Sequence, residues 1–92
     1  MTTTKKTTIT TGMAAIIRTV THYYTGTVEA IDRDWIVLSS AAWIADAGRW
    51  AEALRSGSLS EVEPYPDGPV WVARGAIVDV SAWRHPLPRE TR

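Results

Sequence analysis

One stretch constrains the fold of this chain more than any other: Val70-Trp71-Val72-Ala73-Arg74-Gly75-Ala76-Ile77-Val78-Asp79-Val80. Outside Arg74-Gly75 almost every residue is β-branched, aromatic or small, a composition that suits a pleated, half-buried surface. It reads as two short strands hinged at Arg74-Gly75. Glycine at the hinge permits a positive φ or a close backbone approach, which a bend needs and a strand interior does not.

Upstream, the period-2 pattern continues. Met13 to Tyr24 places Ile16, Arg18, Val20, His22 and Tyr24 on one face and Ile17, Thr19, Thr21 and Tyr23 on the other. Neither face is wholly polar, so this strand is expected to bend or to be covered on both sides. Thr25-Gly26 reads as a turn and Thr27 to Asp32 as a second strand. Asp32-Arg33-Asp34 is the next turn, where an Asp carboxylate accepts from the backbone two residues on. Trp35-Ile36-Val37-Leu38 reads as a short buried strand, and the three strands as an antiparallel meander.

The period then changes. Trp43, Ala47, Trp50 and Leu54 are spaced by four, three and four, which predicts a helix over about residues 43–56. Asp46 is an N-cap candidate, Ser39 or Ser40 would instead cap an earlier start, and Gly57 is the C′ glycine. Ser58 to Pro69, with Pro64, Pro66, Pro69 and Asp67-Gly68, reads as a loop. Residues 1–11 are mostly Thr and Lys and read as a mobile tail. Residues 12–84 form one domain, closed by Trp83, and residues 85–92 a Pro/Arg-rich tail.

Ninety-two residues with zero formal net charge argue against a protein that coats nucleic acid by bulk charge and leave room for a local basic patch. The absence of cysteine excludes disulfides and thiolate metal sites. Five Trp and no Phe point to flat, partly buried surfaces of the kind found in cores and at subunit interfaces. The longest apolar run, Met13 to Ile17, is too short to span a bilayer, and a cytoplasmic protein without membrane contact is expected.

The order of elements resembles the Sm-like (LSm) family, a strongly bent, five-stranded, SH3-like antiparallel barrel. Gly26, Val28, Ile31 and Asp32 match the spacing of its first motif. Val72-Ala73-Arg74-Gly75-Ala76-Ile77-Val78 matches its second. The resemblance spans about residues 13–83. The helix at about 43–56 is then an insertion between the motifs, and the family's N-terminal helix is replaced by the Thr-rich segment. The resemblance implies a homo-oligomeric ring in which the fourth and fifth strands pair with neighbouring subunits, and RNA bound in its pore. The family's nucleotide-contacting Asn would fall near Ile36. Trp35 stands beside that position and could stack a base without reading its edge. Divergent proteins of this size are similar to those of bacteriophages and environmental genomes.

The candidate nucleic-acid-binding residues are therefore Arg74, Gly75, Asp32, Arg33, Trp35 and Tyr23. Arg74 would contact phosphate, or else pair with Asp32 or Asp34, which is the favoured reading. Tyr23, Tyr24 and Trp35 would stack bases, or else pack the fold and its interface, again the favoured reading. No nucleophile has a nearby base, no glycine-rich loop awaits a phosphate, and two histidines without helical carboxylate partners make no metal site. The expectation is a non-enzymatic protein without cofactor or small-molecule substrate. It either binds RNA or single-stranded nucleic acid, or serves as a structural or adaptor oligomer that binds protein.

Overall fold

β-branched and small apolar residues build the strands of this chain, and the computed structural model describes residues 8–92. The elements are β1 (Ala14–Thr19), β2 (Tyr23–Ile31), β3 (Trp35–Asp46), α1 (Trp50–Ser56), β4 (Glu61–Pro64), β5 (Val70–Ala73), a 3-10 turn (Arg74–Ala76) and β6 (Ile77–Ala82). All ladders are antiparallel, in the order β4-β3-β2-β1-β6, and β5 also pairs with β3. The sheet thus has six strands, where five were expected. β5 and β6 share no ladder, so the sheet is not closed into a barrel.

β3 holds the architecture together, because its two halves carry different partners. Trp35–Leu38 pairs with β5, and Ala42–Asp46 pairs with β4. Between them Ser40 adopts a φ of 49°, rare for a residue with a Cβ. Gly26 lies opposite, where the β2–β3 register shifts. A Cβ on Gly26 would stand 3.0 Å from Leu38 Cβ and 3.1 Å from the Ser39 carbonyl oxygen. The kink reverses which side chains point where. Ile36 and Leu38 enter one core with Val28 and Val72, whereas Ala42 and Ile44 enter another with Val62 and Trp83.

Two cores on two faces explain the unpatterned first strand. Ile16 belongs to the core shared with α1, while Ala15 and Ile17 belong to the other. The strand is covered on both sides, as its sequence implied.

Several local expectations are corrected. The chain does not turn at Thr25-Gly26, which lies inside β2. It turns at Val20–His22, where the Thr19 hydroxyl donates to the His22 carbonyl (2.7 Å) and accepts from its amide (3.2 Å). Gly26 serves close strand approach instead. The helix begins at Trp50, so Trp43 is a strand residue and Asp46 is not an N-cap. Asp46 Oδ1 accepts from the Gly48 amide at 2.8 Å, closing a turn before α1. At the other end Gly57 does cap the helix, with a φ of 81° and its amide on the Ala53 carbonyl. The supposed loop after it contains β4, and the helical ion pair on α1 is Glu52 with Arg55.

The terminal segments are held against the sheet. Ile9 packs on the second core and the Gly12 amide donates to Val28 O at 2.7 Å. The remainder of the Thr-rich segment, residues 1–7, lies outside the described residues. Trp83 is 4% exposed and in the first core, as expected. Beyond it Pro88 is buried and Leu87 packs against the first core. Arg89 donates to the carbonyls of Ala41 (3.1 Å) and Tyr65 (3.0 Å). Arg92 exchanges both backbone hydrogen bonds with Val62.

Candidate functional site

The β2–β3 turn gathers most of the residues singled out by the sequence. Asp32 Oδ1 accepts from the amides of Asp34 (2.9 Å) and Trp35 (2.8 Å), the expected Asp turn. The Arg74 amide donates to Asp34 O at 2.9 Å, and Arg74 Nη1 donates to Asp32 O at 2.6 Å. Arg74 therefore does reach the acidic turn, but it binds main-chain carbonyls and not carboxylates. Gly75, in the 3-10 turn, has neither a positive φ nor an atom within 4 Å of where its Cβ would be. The conformational reason expected for glycine there is absent. Arg33 sits in the same turn, exposed.

Tyr23 does not join them. It lies at the far end of β2, stacked on Trp50 with ring centroids 5.1 Å apart and planes 20° apart, against the first core. Arg18 stands over the same indole at 5.4 Å and donates to Asp79 from Nε and Nη2. Trp50, Tyr23 and Arg18 form a half-buried stack at this end of β2.

The open aromatic surface lies elsewhere and includes residues the sequence reading passed over. Val20 and His22 of the β1–β2 turn, with Tyr24, Trp35, Trp71 and Ala76, line a groove of about 380 Å³. Trp71 is 56% exposed, Trp35 42% and Val20 75%. From the groove an aromatic row continues: the His22 ring lies 4.7 Å from Tyr24 and 5.3 Å from Trp43, and Tyr24 lies 6.5 Å from Tyr65. The available signal for Trp71 was its alternation with Val70 and Val72. Only Val72 is in the core, so Trp71 must face out.

The groove is electrically quiet. Among the described residues no Asp, Glu, Lys or Arg lines it. Burial holds the His22 imidazole below its ordinary pKa, favouring the neutral ring. Its Nδ1 lies 2.7 Å from Thr21 Oγ1, and its Nε2 is buried without a described partner. With no carboxylate bonded to the ring, nothing orients it as a base for that hydroxyl. Burial and the neighbouring Tyr24 hold the Tyr65 phenol above its ordinary value, so it too is neutral. Most described arginines are engaged: Arg18 with Asp79, Arg55 with Glu52, and Arg74, Arg89 and Arg92 with carbonyls. Among the described residues no group of three His, Cys, Asp or Glu could hold a metal ion. No helix among them is long and apolar enough to cross a membrane.

Such a surface can bury apolar area, stack on flat groups and donate from indole N–H groups. It has little with which to neutralise phosphate. Comparison with family models, with curated proteins and with solved structures gives no match for this chain.

Proposed function

We propose that this chain is a non-enzymatic adaptor of the Sm-like, SH3-like kind, which assembles with copies of itself and meets another protein on its aromatic groove. The observation that carries this reading is the pair of exposed indoles, Trp35 and Trp71, in a groove that no charged side chain lines among the described residues. Depletion of charge around aromatic residues is the compositional mark of a protein interface. The Sm-like part of the reading is supported by the path β6-β1-β2-β3-β5, whose two outer strands are joined by a single 3-10 turn. Such a path is one bend short of a small barrel. Among the described residues β5 and β6 each pair on one side only, and an open strand edge is a template for another chain.

Nucleic-acid binding is the less supported reading. Its central cation, Arg74, has a guanidinium N–H committed to the Asp32 carbonyl, and Tyr23 is stacked on Trp50 away from Trp35. Native mass spectrometry of the protein as isolated, before and after nuclease treatment, tests the choice. The expected result is a defined oligomer whose mass nuclease does not change. Nuclease-sensitive mass would overturn the adaptor reading in favour of RNA, and a monomer would remove the assembly.

A further inference from the structure

Two cavities outside the groove share a wall. One, of about 310 Å³, is lined by Trp43, Glu63 and Pro64 together with Tyr65 and Pro66. The other, of about 440 Å³, has Tyr65 and Pro66 in its lining too, and adds Glu29, Ser39, Ser40, Asp67 and Arg89. Both fall in the size range of small-ligand sites. Their linings differ in kind. The first is mostly apolar, with an indole that is 37% exposed, a phenol ring, two prolines and one carboxylate. The second is polar in both senses: Glu29 and Asp67 accept, Arg89 donates, and the two serine hydroxyls do either.

The polar groups are held in place. Ser39 Oγ donates to Glu29 Oε2 at 2.8 Å. Arg89 is fixed by the carbonyls of Ala41 (3.1 Å) and Tyr65 (3.0 Å), and among the described residues it has no carboxylate partner. Those two bonds use only part of the donor fork of a guanidinium. A ligand for these cavities must therefore donate to carboxylates, accept from a guanidinium and lay an apolar face on a ring. A phosphate chain would meet the like charges of Glu29, Glu63 and Asp67. A basic peptide would leave Arg89 facing a second cation. A neutral pyranose sugar meets all three conditions, because its hydroxyls both donate and accept around the rim and its C–H face packs on an aromatic ring.

We propose that the two cavities sharing Tyr65 and Pro66 bind a neutral pyranose disaccharide, one ring in each. The site is separate from the Trp35/Trp71 groove, and the proposal does not depend on the adaptor reading. Trp43 carries the first ring, and Glu63 accepts from its hydroxyls. Glu29 and Asp67 accept from the second ring, and Arg89 donates to it.

The test is titration of the full chain, labelled with nitrogen-15, with maltose, cellobiose and lactose up to tens of millimolar, and with glucose and galactose alongside. The Trp43 indole N–H and Arg89 Nε–H resonances are expected to shift with at least one disaccharide, while the indole resonances of Trp71 and Trp83 stay in place. The constituent monosaccharides, which fill one cavity at a time, should bind about tenfold more weakly. Trp43→Ala and, separately, Asp67→Ala should each weaken disaccharide binding about tenfold or more. Asp67 is exposed and outside the sheet, so its variant tests the site without disturbing a strand. The Trp83 indole resonance in its original place reports that each variant is folded. No shift with any of the three disaccharides, a shift confined to Trp35 and Trp71, or a monosaccharide that binds as tightly as its disaccharide overturns the proposal. So does a Trp43 shift produced by an oligouridylate or a tetralysine peptide and by none of the sugars. None of these outcomes bears on the mass of the oligomer, so the adaptor reading stands or falls separately.

Discussion

Arg74 holds the β2–β3 turn from forty-two residues away, its Nη1 donating to the Asp32 carbonyl at 2.6 Å. The Arg74 amide adds a second bond to Asp34 O, so one residue binds the turn with both main chain and side chain. The carboxylate of Asp32 is occupied separately, by the amides of Asp34 and Trp35.

Arg74→Ala should therefore destabilise the fold by about 0.5–1.5 kcal/mol, the usual net worth of one exposed hydrogen bond. The midpoint of urea unfolding reads this directly. Arg74→Lys should recover part of the loss, since a single donor is what the carbonyl requires.

Gly26 and Gly75 should respond oppositely to alanine. At Gly26 the new Cβ meets Leu38 Cβ at 3.0 Å and Ser39 O at 3.1 Å, and overpacking of this kind costs about 1–3 kcal/mol. At Gly75 it meets nothing within 4 Å and φ is not positive. Gly75→Ala should be neutral or stabilising by up to about 1 kcal/mol, through the unfolded chain. Paired thermal melts of the two variants check both signs.

Two tryptophans, one buried and one exposed, should differ as sharply. Trp83 is 4% exposed within the first core, so Trp83→Ala should cost about 3–5 kcal/mol. Trp71 faces outward, and Trp71→Ala should change stability by no more than about 0.5 kcal/mol. Equilibrium denaturation of each variant measures the contrast.

His22 makes stability depend on pH. Burial lowers its pKa in the folded state below that of an ordinary histidine, so the unfolded chain binds the proton more readily. Its contribution is full above the unfolded pKa and is lost as pH falls from there through the folded value. Facing the ring are Tyr24, Trp43 and Thr21, none of them charged. Unfolding midpoints at pH 7.5 and 5 should therefore fall on acidification, and His22→Gln should flatten that part of the fall.

Much of the sheet was legible in its residues. Val70 to Val80 gave two strands about a hinge, and the hinge is a 3-10 turn. Asp32 gave its turn through a carboxylate that can reach two amides. The double-sided pattern of Ile16 and Ile17 gave a strand covered on both faces. What failed did so for physical reasons. Trp43, Ala47, Trp50 and Leu54 have helical spacing, yet Trp43 pairs with Tyr24 across a ladder that local periodicity cannot see. Gly26 looked like a turn residue because glycine marks both positive φ and close approach. Here it marks the second. The open groove was only half legible: Trp35 was visible as a candidate, whereas His22 and Trp71 come together through the curl of strands distant in sequence.

The pairing of β1 with β6 has a consequence for how the chain reaches this state. Arg18 and Asp79 are sixty-one positions apart, and the ladder around them joins strands from the two ends of the described chain. Closing so long a loop comes before its contacts reward it, which places the protein among slow folders, on the order of milliseconds to seconds. It also makes the domain indivisible. Until Ile77–Ala82 is available, β1 is a bare edge and Trp83 is missing from the first core. A chain interrupted before that point is left with an exposed strand that invites aggregation.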